Sequence, residues 1–364
     1  MEKVFSQKKI IHILADEPRG GVGTFLLNTL SNDYHYELIE HVLQKESLFN
    51  TEMSNRNIAI HAFPSHRELA NYFVTTKEFY RVHADQIAAI HVHSTAVAPI
   101  HLFWAQYYGV QNRIFHLHLT YLDGVPMLRR WRNKALLSLI FSLSTEIVSC
   151  GEKVGELVPK SRQSTVLPNT INVPDFLFNE ERRIHVRREL GLQNRIAIGI
   201  IGRISKEKNH QFLLDVFKNL PKTYVLVVIG EGPLEESLRE KCGREEISNI
   251  LFIGRQNAVI DYLHALDGLA MPSLVEGFPL VAIEAQANGL PCFFSDIIDK
   301  STNVTHHVTF GSVKDPTLWL EMFKDFQPLT TKDRFESNNL VYKKFDVHVG
   351  RERLRNFYET IVKI

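Results

Sequence analysis

The 364-residue chain is poor in cysteine, has no long apolar run and carries no excess of either charge. Its three cysteines, Cys150, Cys242 and Cys292, are odd in number and far apart. That argues against a disulfide framework and for a reducing compartment. The longest apolar stretch, residues 135–143, is about half the ~20 residues that a membrane span needs. Near the N-terminus, basic residues precede only the short run 10–14, too little for a secretory signal. The expectation is a cytoplasmic protein, able to lie against the inner face of a membrane. With 42 Lys and Arg against 41 Asp and Glu, a net charge of +1 supplies no field to recruit nucleic acid.

What is present is an ordinary globular composition, 44% hydrophobic and 23% charged, so cores can form without staples. The length suits two domains. Short β-branched runs alternate with helical patterns, as in parallel βα units. Strands are expected at 10–14, 37–42, 58–63, 87–92, 113–118, 146–149 and 165–167, with helices such as 24–30, 67–81 and 127–143 between them. The pattern restarts with strands at 196–202, 224–230, 250–254, 268–272 and 291–295. The Pro- and Asn-rich segment 168–174 reads as a linker. The fold class is therefore α/β, two doubly wound parallel sheets, each binding ligands beyond the carboxyl ends of its strands, facing each other across a cleft. The expected domains are 1–170 and 171–345. An amphipathic helix at 346–364 is expected to pack back toward the N-terminal domain.

Three segments carry chemistry. Arg19-Gly20-Gly21-Val22-Gly23-Thr24 follows the first strand. Glycines there admit a ligand close to the backbone, and a helix start favours anions. It is neither a P-loop nor a dinucleotide fingerprint, and a plain tight turn explains it equally well. Gly202-Arg203-Ile204-Ser205-Lys206-Glu207-Lys208-Asn209 closes the first strand of the second half. Arg203 and Lys208 could neutralise a diphosphate there, or simply furnish a solvated loop. In the third, Glu276-Gly277-Phe278-Pro279-Leu280 leads through a sharp turn into a helix bearing Glu284. Amides at that helix start suit phosphate. Complementing the helix charge explains one glutamate easily, but not the Gly-Phe-Pro loop between the two.

Glu276, seven residues and Glu284, with Gly-Phe-Pro-Leu between, resemble the hallmark of the retaining family 4 glycosyltransferases of GT-B architecture, the glycosyl transferases group 1. Gly202-Arg203 with Lys208, the loop Gly20-Gly21-Val22-Gly23, Leu167-Pro168-Asn169 and Gly230-Glu231-Gly232-Pro233 are similar to further elements of that family, in its order. The resemblance implies a nucleotide-sugar donor, a glycan or lipid-linked acceptor, and a setting in bacterial capsule or exopolysaccharide synthesis, with uridine the first guess for the base. It implies that Arg203 and Lys208 bind the diphosphate, Glu276 contacts the donor sugar and Glu284 holds the ribose. It further implies that Gly202 and the backbone of Gly277, Phe278, Pro279 and Leu280 line the donor, Arg255 lies by the base, Gly21 nears the phosphates and His118 sits beside the sugar. Neither cofactor nor metal is expected.

Histidine is abundant, 17 residues, and His91-Val-His93 and His116-Leu-His118 each put two imidazoles on one face of a strand. A zinc site is conceivable, but no adjacent Cys or carboxylate completes a ligand spacing. His93 is a weaker candidate for lining the acceptor side, and His116 is expected to pack or hydrogen-bond internally. Arg129, Arg130, Arg132 and Lys134 surround Trp131 at the head of an amphipathic helix, which suits either an anionic membrane or a solvated first turn. Two other readings share the architecture. The 2-epimerases of nucleotide-sugars have a Gly-Thr-Arg-Pro-Glu segment that this chain lacks. A non-catalytic binding protein is disfavoured by Arg203, Lys208, Glu276 and Glu284 occurring together.

Overall fold

The computed structural model describes residues 8–16, 20–31, 33–41, 47–118, 127–336 and 338–362. Arg19, Val42 and the side chain of Arg129, all singled out above, lie outside what is described. The chain divides into two compact units, residues 1–170 with 347–364, and residues 171–346.

Unit 1 is built on strands β1 (Lys9–Leu14), β2 (Tyr36–Glu40), β3 (Ala59–Ala62), β4 (Ile87–Val92), β5 (Asn112–Leu117), β6 (Glu146–Ser149) and β7 (Thr165–Val166). All pair in parallel, in the order β3-β2-β1-β4-β5-β6-β7. The order reverses between β1 and β4, the switch point at which open α/β sheets bind ligands. One face of the sheet packs Ile10, Leu14, Leu38, Ala89 and Ile114 against Phe25 and Leu26 of the helix Gly21–Thr29. The final helix Val347–Ile361 belongs to the same unit and adds Leu354, Phe357 and Tyr358 to that core. Gly350 lets the helix lie close, since a Cβ there would stand 2.5 Å from the Thr170 hydroxyl.

Unit 2 repeats the plan with β8 (Ile196–Ile201), β9 (Tyr224–Ile229), β10 (Ile250–Gly254), β11 (Gly268–Met271), β12 (Cys292–Ser295) and β13 (Val308–Gly311), in the order β10-β9-β8-β11-β12-β13. Both faces of β8 and β9 are covered: Ile198, Ile200, Leu226 and Val228 pack on one side, Ala197, Val225, Val227 and Ile229 on the other. Burial on both faces is why these segments read as continuous apolar runs rather than alternating ones. The strand missing from the sequence expectation is β13. Its four residues lie at the sheet edge with a half-exposed pattern, so neither length nor apolarity marks them.

Candidate functional site: the carboxyl ends of β8 and β11

In unit 2 the strand order reverses between β8 and β11, which pair directly. The loop after β8 carries Arg203 and Lys208, and the loop after β11 carries Glu276. The two loops meet. Lys208 Nζ lies 2.5 Å from Glu276 Oε1, which also accepts a hydrogen bond from the Ser273 hydroxyl at 2.7 Å. The Leu274 amide donates to the Glu207 carbonyl at 2.7 Å, and Asn209 Nδ2 donates to the Pro272 carbonyl at 3.2 Å. Asn209 takes a left-handed backbone conformation (φ 56°) and ends this turn, starting the helix His210–Phe217. Arg203 is exposed, with no hydrogen bond or salt bridge among the described residues.

Close backbone packing holds the loops in place. Gly230 sits at φ 140°, and a Cβ on it would stand 2.0 Å from the Gly202 carbonyl oxygen. A Cβ on Gly232 would stand 2.3 Å from the carbonyl oxygen of Ile204. The turn after β9 thus supports the turn after β8 through two glycines that no side chain could replace without displacement. Gly202, also at φ 140°, lies beneath the Lys208 stem.

The helix Leu280–Ala287 begins at Pro279 with no side-chain cap. Among the described residues the Leu280 and Val281 amides therefore keep their donors for a ligand, while the Ala282 amide donates to the Pro279 carbonyl at 3.2 Å. Phe278 is turned inward and stacks on Phe345, with ring centroids 5.4 Å apart, so it can meet a ligand only through its main chain. Glu284 is partly covered, and desolvation pushes its carboxyl up to about 7. Arg255, just past β10, is exposed and pairs with Glu231 at 3.4 Å. A cavity of about 450 Å³ lined by Cys292, Phe293, His307 and Phe326 lies at the amino ends of β12 and β13, away from these groups.

In unit 1, Gly21 opens the helix Gly21–Thr29, and a Cβ there would lie 3.1 Å from Asn169 Nδ2. His118, just past β5, is the outer end of a buried chain of imidazoles. His118 Nε2 is 2.9 Å from His93 Nδ1, and His93 Nε2 is 2.9 Å from His12 Nδ1. The Tyr358 hydroxyl is 3.2 Å from His12 Nε2 and 2.7 Å from His91 Nδ1, and His91 Nε2 is 3.2 Å from His116 Nδ1. Desolvation holds His12 and His118 down at about 3 and the other three well below the ordinary range, so all five are neutral at pH 7. His93 is 7% exposed and sits between His12 and His118.

Residues 183–325 match the family described as glycosyl transferases group 1. EpsF of Bacillus subtilis (strain 168), named as a glycosyltransferase, is 26% identical over 87% of this chain and 87% of its own length. The capsular polysaccharide biosynthesis glycosyltransferase CapH of Staphylococcus aureus is 22% identical over 96% of this chain and 98% of its own. Among solved structures, Anabaena Alr3699/HepE in complex with UDP superposes with a TM-score of 0.80 at 14% identity, covering 97% of this chain and 100% of that one. Residues 183–325 are thus similar to the glycosyl transferases group 1, and relatives that span most of the chain are named as glycosyltransferases.

The two parallel sheets are those of the GT-B fold. Some residues at the switch points escaped sequence reasoning. His12 lies in an apolar run and looks like part of a plain strand; only its register with His91 brings it to the imidazole chain. Tyr358 is 267 residues from its partner His91. His210, two residues past Lys208, is buried with neither ring nitrogen partnered among the described residues, and burial holds it down at about 4. Its only sequence signal was proximity to the two cations.

Proposed function

We propose that this chain is a group 1 glycosyltransferase that moves a hexose from a UDP-sugar to a glycan or lipid-linked acceptor, with retention of anomeric configuration, in the assembly of a surface polysaccharide. The observation that carries this reading is the Lys208–Glu276 pair at the β8/β11 switch point, beside the exposed Arg203. Breaking the bond from anomeric carbon to diphosphate leaves positive charge on the sugar and adds negative charge to the departing nucleotide. Arg203, Lys208 and the uncapped amides following Pro279 meet the negative charge, and Glu276 faces the sugar. Glu284, when ionised, accepts hydrogen bonds from the ribose hydroxyls. The charge on the leaving group is met by protein groups, so this step needs no metal or cofactor. Uridine is favoured by the UDP held in HepE, and the polysaccharide setting by the name of CapH.

No helix among the described residues is long and apolar enough to cross a membrane. The helix Met127–Leu143 nonetheless exposes Arg130, Trp131, Arg132 and Lys134 at its head. That face would bring the enzyme to a lipid-linked acceptor on an anionic surface, and high salt would release it. The deciding experiment is a donor screen without acceptor, following slow hydrolysis of UDP- and GDP-sugars alongside calorimetric binding of UDP and GDP. The reading predicts cleavage and binding of the uridine series. Failure of every nucleotide to bind would overturn it.

A further inference from the structure

We propose that unit 1 binds one first-row divalent transition-metal ion, with zinc as its representative, through the imidazoles of His93, His116 and His118. The sheet creates the site. His91 and His93 share one face of β4 and its end, and His116 and His118 share the same face of β5. The register that sets His91 opposite Ile114 and Val92 opposite Phe115 carries His93 to the level of His116. Parallel neighbours about 4.8 Å apart then bring the rings together. One nitrogen from each of His93, His116 and His118 lies within 4.8 Å of the other two.

The hydrogen bonds favour coordination over a purely structural ladder. His116 holds its Nδ1 against His91, while its Nε2 is buried with no partner among the described residues. His118 holds its Nε2 against His93, while its Nδ1 is likewise buried and unpartnered. One nitrogen anchored and the other bare is the pattern of a metal-ligating imidazole, whose second nitrogen is fixed by an outer partner. A metal ion would engage the free nitrogens of His116 and His118, at the cost of one of the two hydrogen bonds of His93. Three neutral nitrogens leave a fourth position for water or another ligand.

The test uses the full chain, stripped with chelator and dialysed, then titrated with zinc by calorimetry and with cobalt by visible absorption. One equivalent per chain should bind, with cobalt d–d bands of a low-coordinate nitrogen site and a rise in the thermal midpoint. His118→Asn and His116→Asn should each weaken binding at least about tenfold. The double variant His35→Asn/His61→Asn removes two histidines flanking Glu37 elsewhere in the unit and should leave binding unchanged. If His116→Asn fails to fold, His118→Asn, beyond the end of β5, still decides. Folded wild-type protein that takes up no metal, uptake unaffected by His118→Asn, or uptake abolished by the His35/His61 control would each overturn the site. None of these readouts depends on nucleotide binding in unit 2, so this inference and the transferase reading fail separately.

Discussion

Arg203 and Lys208, two cations of one loop, differ in what their removal costs. Arg203 projects into solvent with no salt bridge among the described residues, so folding asks nothing of it. Arg203→Ala should lower kcat/KM by about 10²–10³ and leave the thermal midpoint unchanged. Lys208 neutralises Glu276, whose side chain is only 9% exposed. Lys208→Ala should therefore cost both activity and stability, on the order of 1–3 kcal/mol of the latter, because a nearly buried carboxylate loses its counter-ion. Urea unfolding of the two variants beside steady-state kinetics separates the cases. Glu284 adds a dependence on pH. Its pKa is raised from 4.5 to about 7 by desolvation, so its burial is tolerated without penalty below 4.5 and destabilises as pH rises toward 7. Glu284→Gln should thus gain stability over wild type between pH 5 and 8, by about 2 kcal/mol at most, as read by thermal midpoints. Donor affinity should run the other way. Ionisation equips the carboxylate to accept ribose hydroxyls, so donor KM should fall as pH passes 7 in the wild type and stay flat in the variant.

At the scale of elements, the site depends on turns that touch through their backbones. Gly230 occupies φ 140° with the Gly202 carbonyl in the place of a side chain. Gly230→Ala should cost at least about 2 kcal/mol, by clash and by backbone strain, and should displace the Arg203 turn. A lower urea midpoint together with a raised donor KM is the expected result; loss of stability alone would show that the β8 turn holds without its support. This scale also shows what the sequence could and could not convey. β8, β9 and β11 were legible because continuous apolar runs ending in glycine or proline mark strands buried on both faces. β13 was not, since an edge strand of four half-exposed residues carries no such signal. Lys208 and Glu276 were each conspicuous by charge next to a turn, but their 2.5 Å contact follows only from β8 and β11 being neighbours. The histidines show the same limit: His91, His93, His116 and His118 stand out in pairs, whereas His12 and Tyr358 join them only through pairing of strands and docking of a helix remote in sequence.

At the scale of the whole molecule, the chain leaves unit 1 at residue 170, builds unit 2, and returns to unit 1 at residue 347. Unit 1 is therefore incomplete without residues that follow unit 2 in the chain. The returning segment buries Leu354, Phe357, Tyr358 and Val362 in the same cluster as Ile10, Phe25 and Leu38. Each such side chain contributes about 1.5–3 kcal/mol on burial, so the four together approach the net stability of a typical domain, about 5–15 kcal/mol. Tyr358 is also the central link of the imidazole chain, and without it His12 and His91 lose a shared buried partner. Truncation after residue 346 should consequently unfold or loosen unit 1 while sparing unit 2, whose own cores contain none of the removed residues. Hydrogen exchange should show protection lost in β1, β4 and β5 and retained in β8, β9 and β11. UDP binding should persist in the truncated protein even as sugar transfer disappears, because Arg203, Lys208, Arg255 and Glu284 all lie within residues 171–346. Equal loss of protection in both sheets would mean that the units fold as one cooperative body, with the final helix stabilising both.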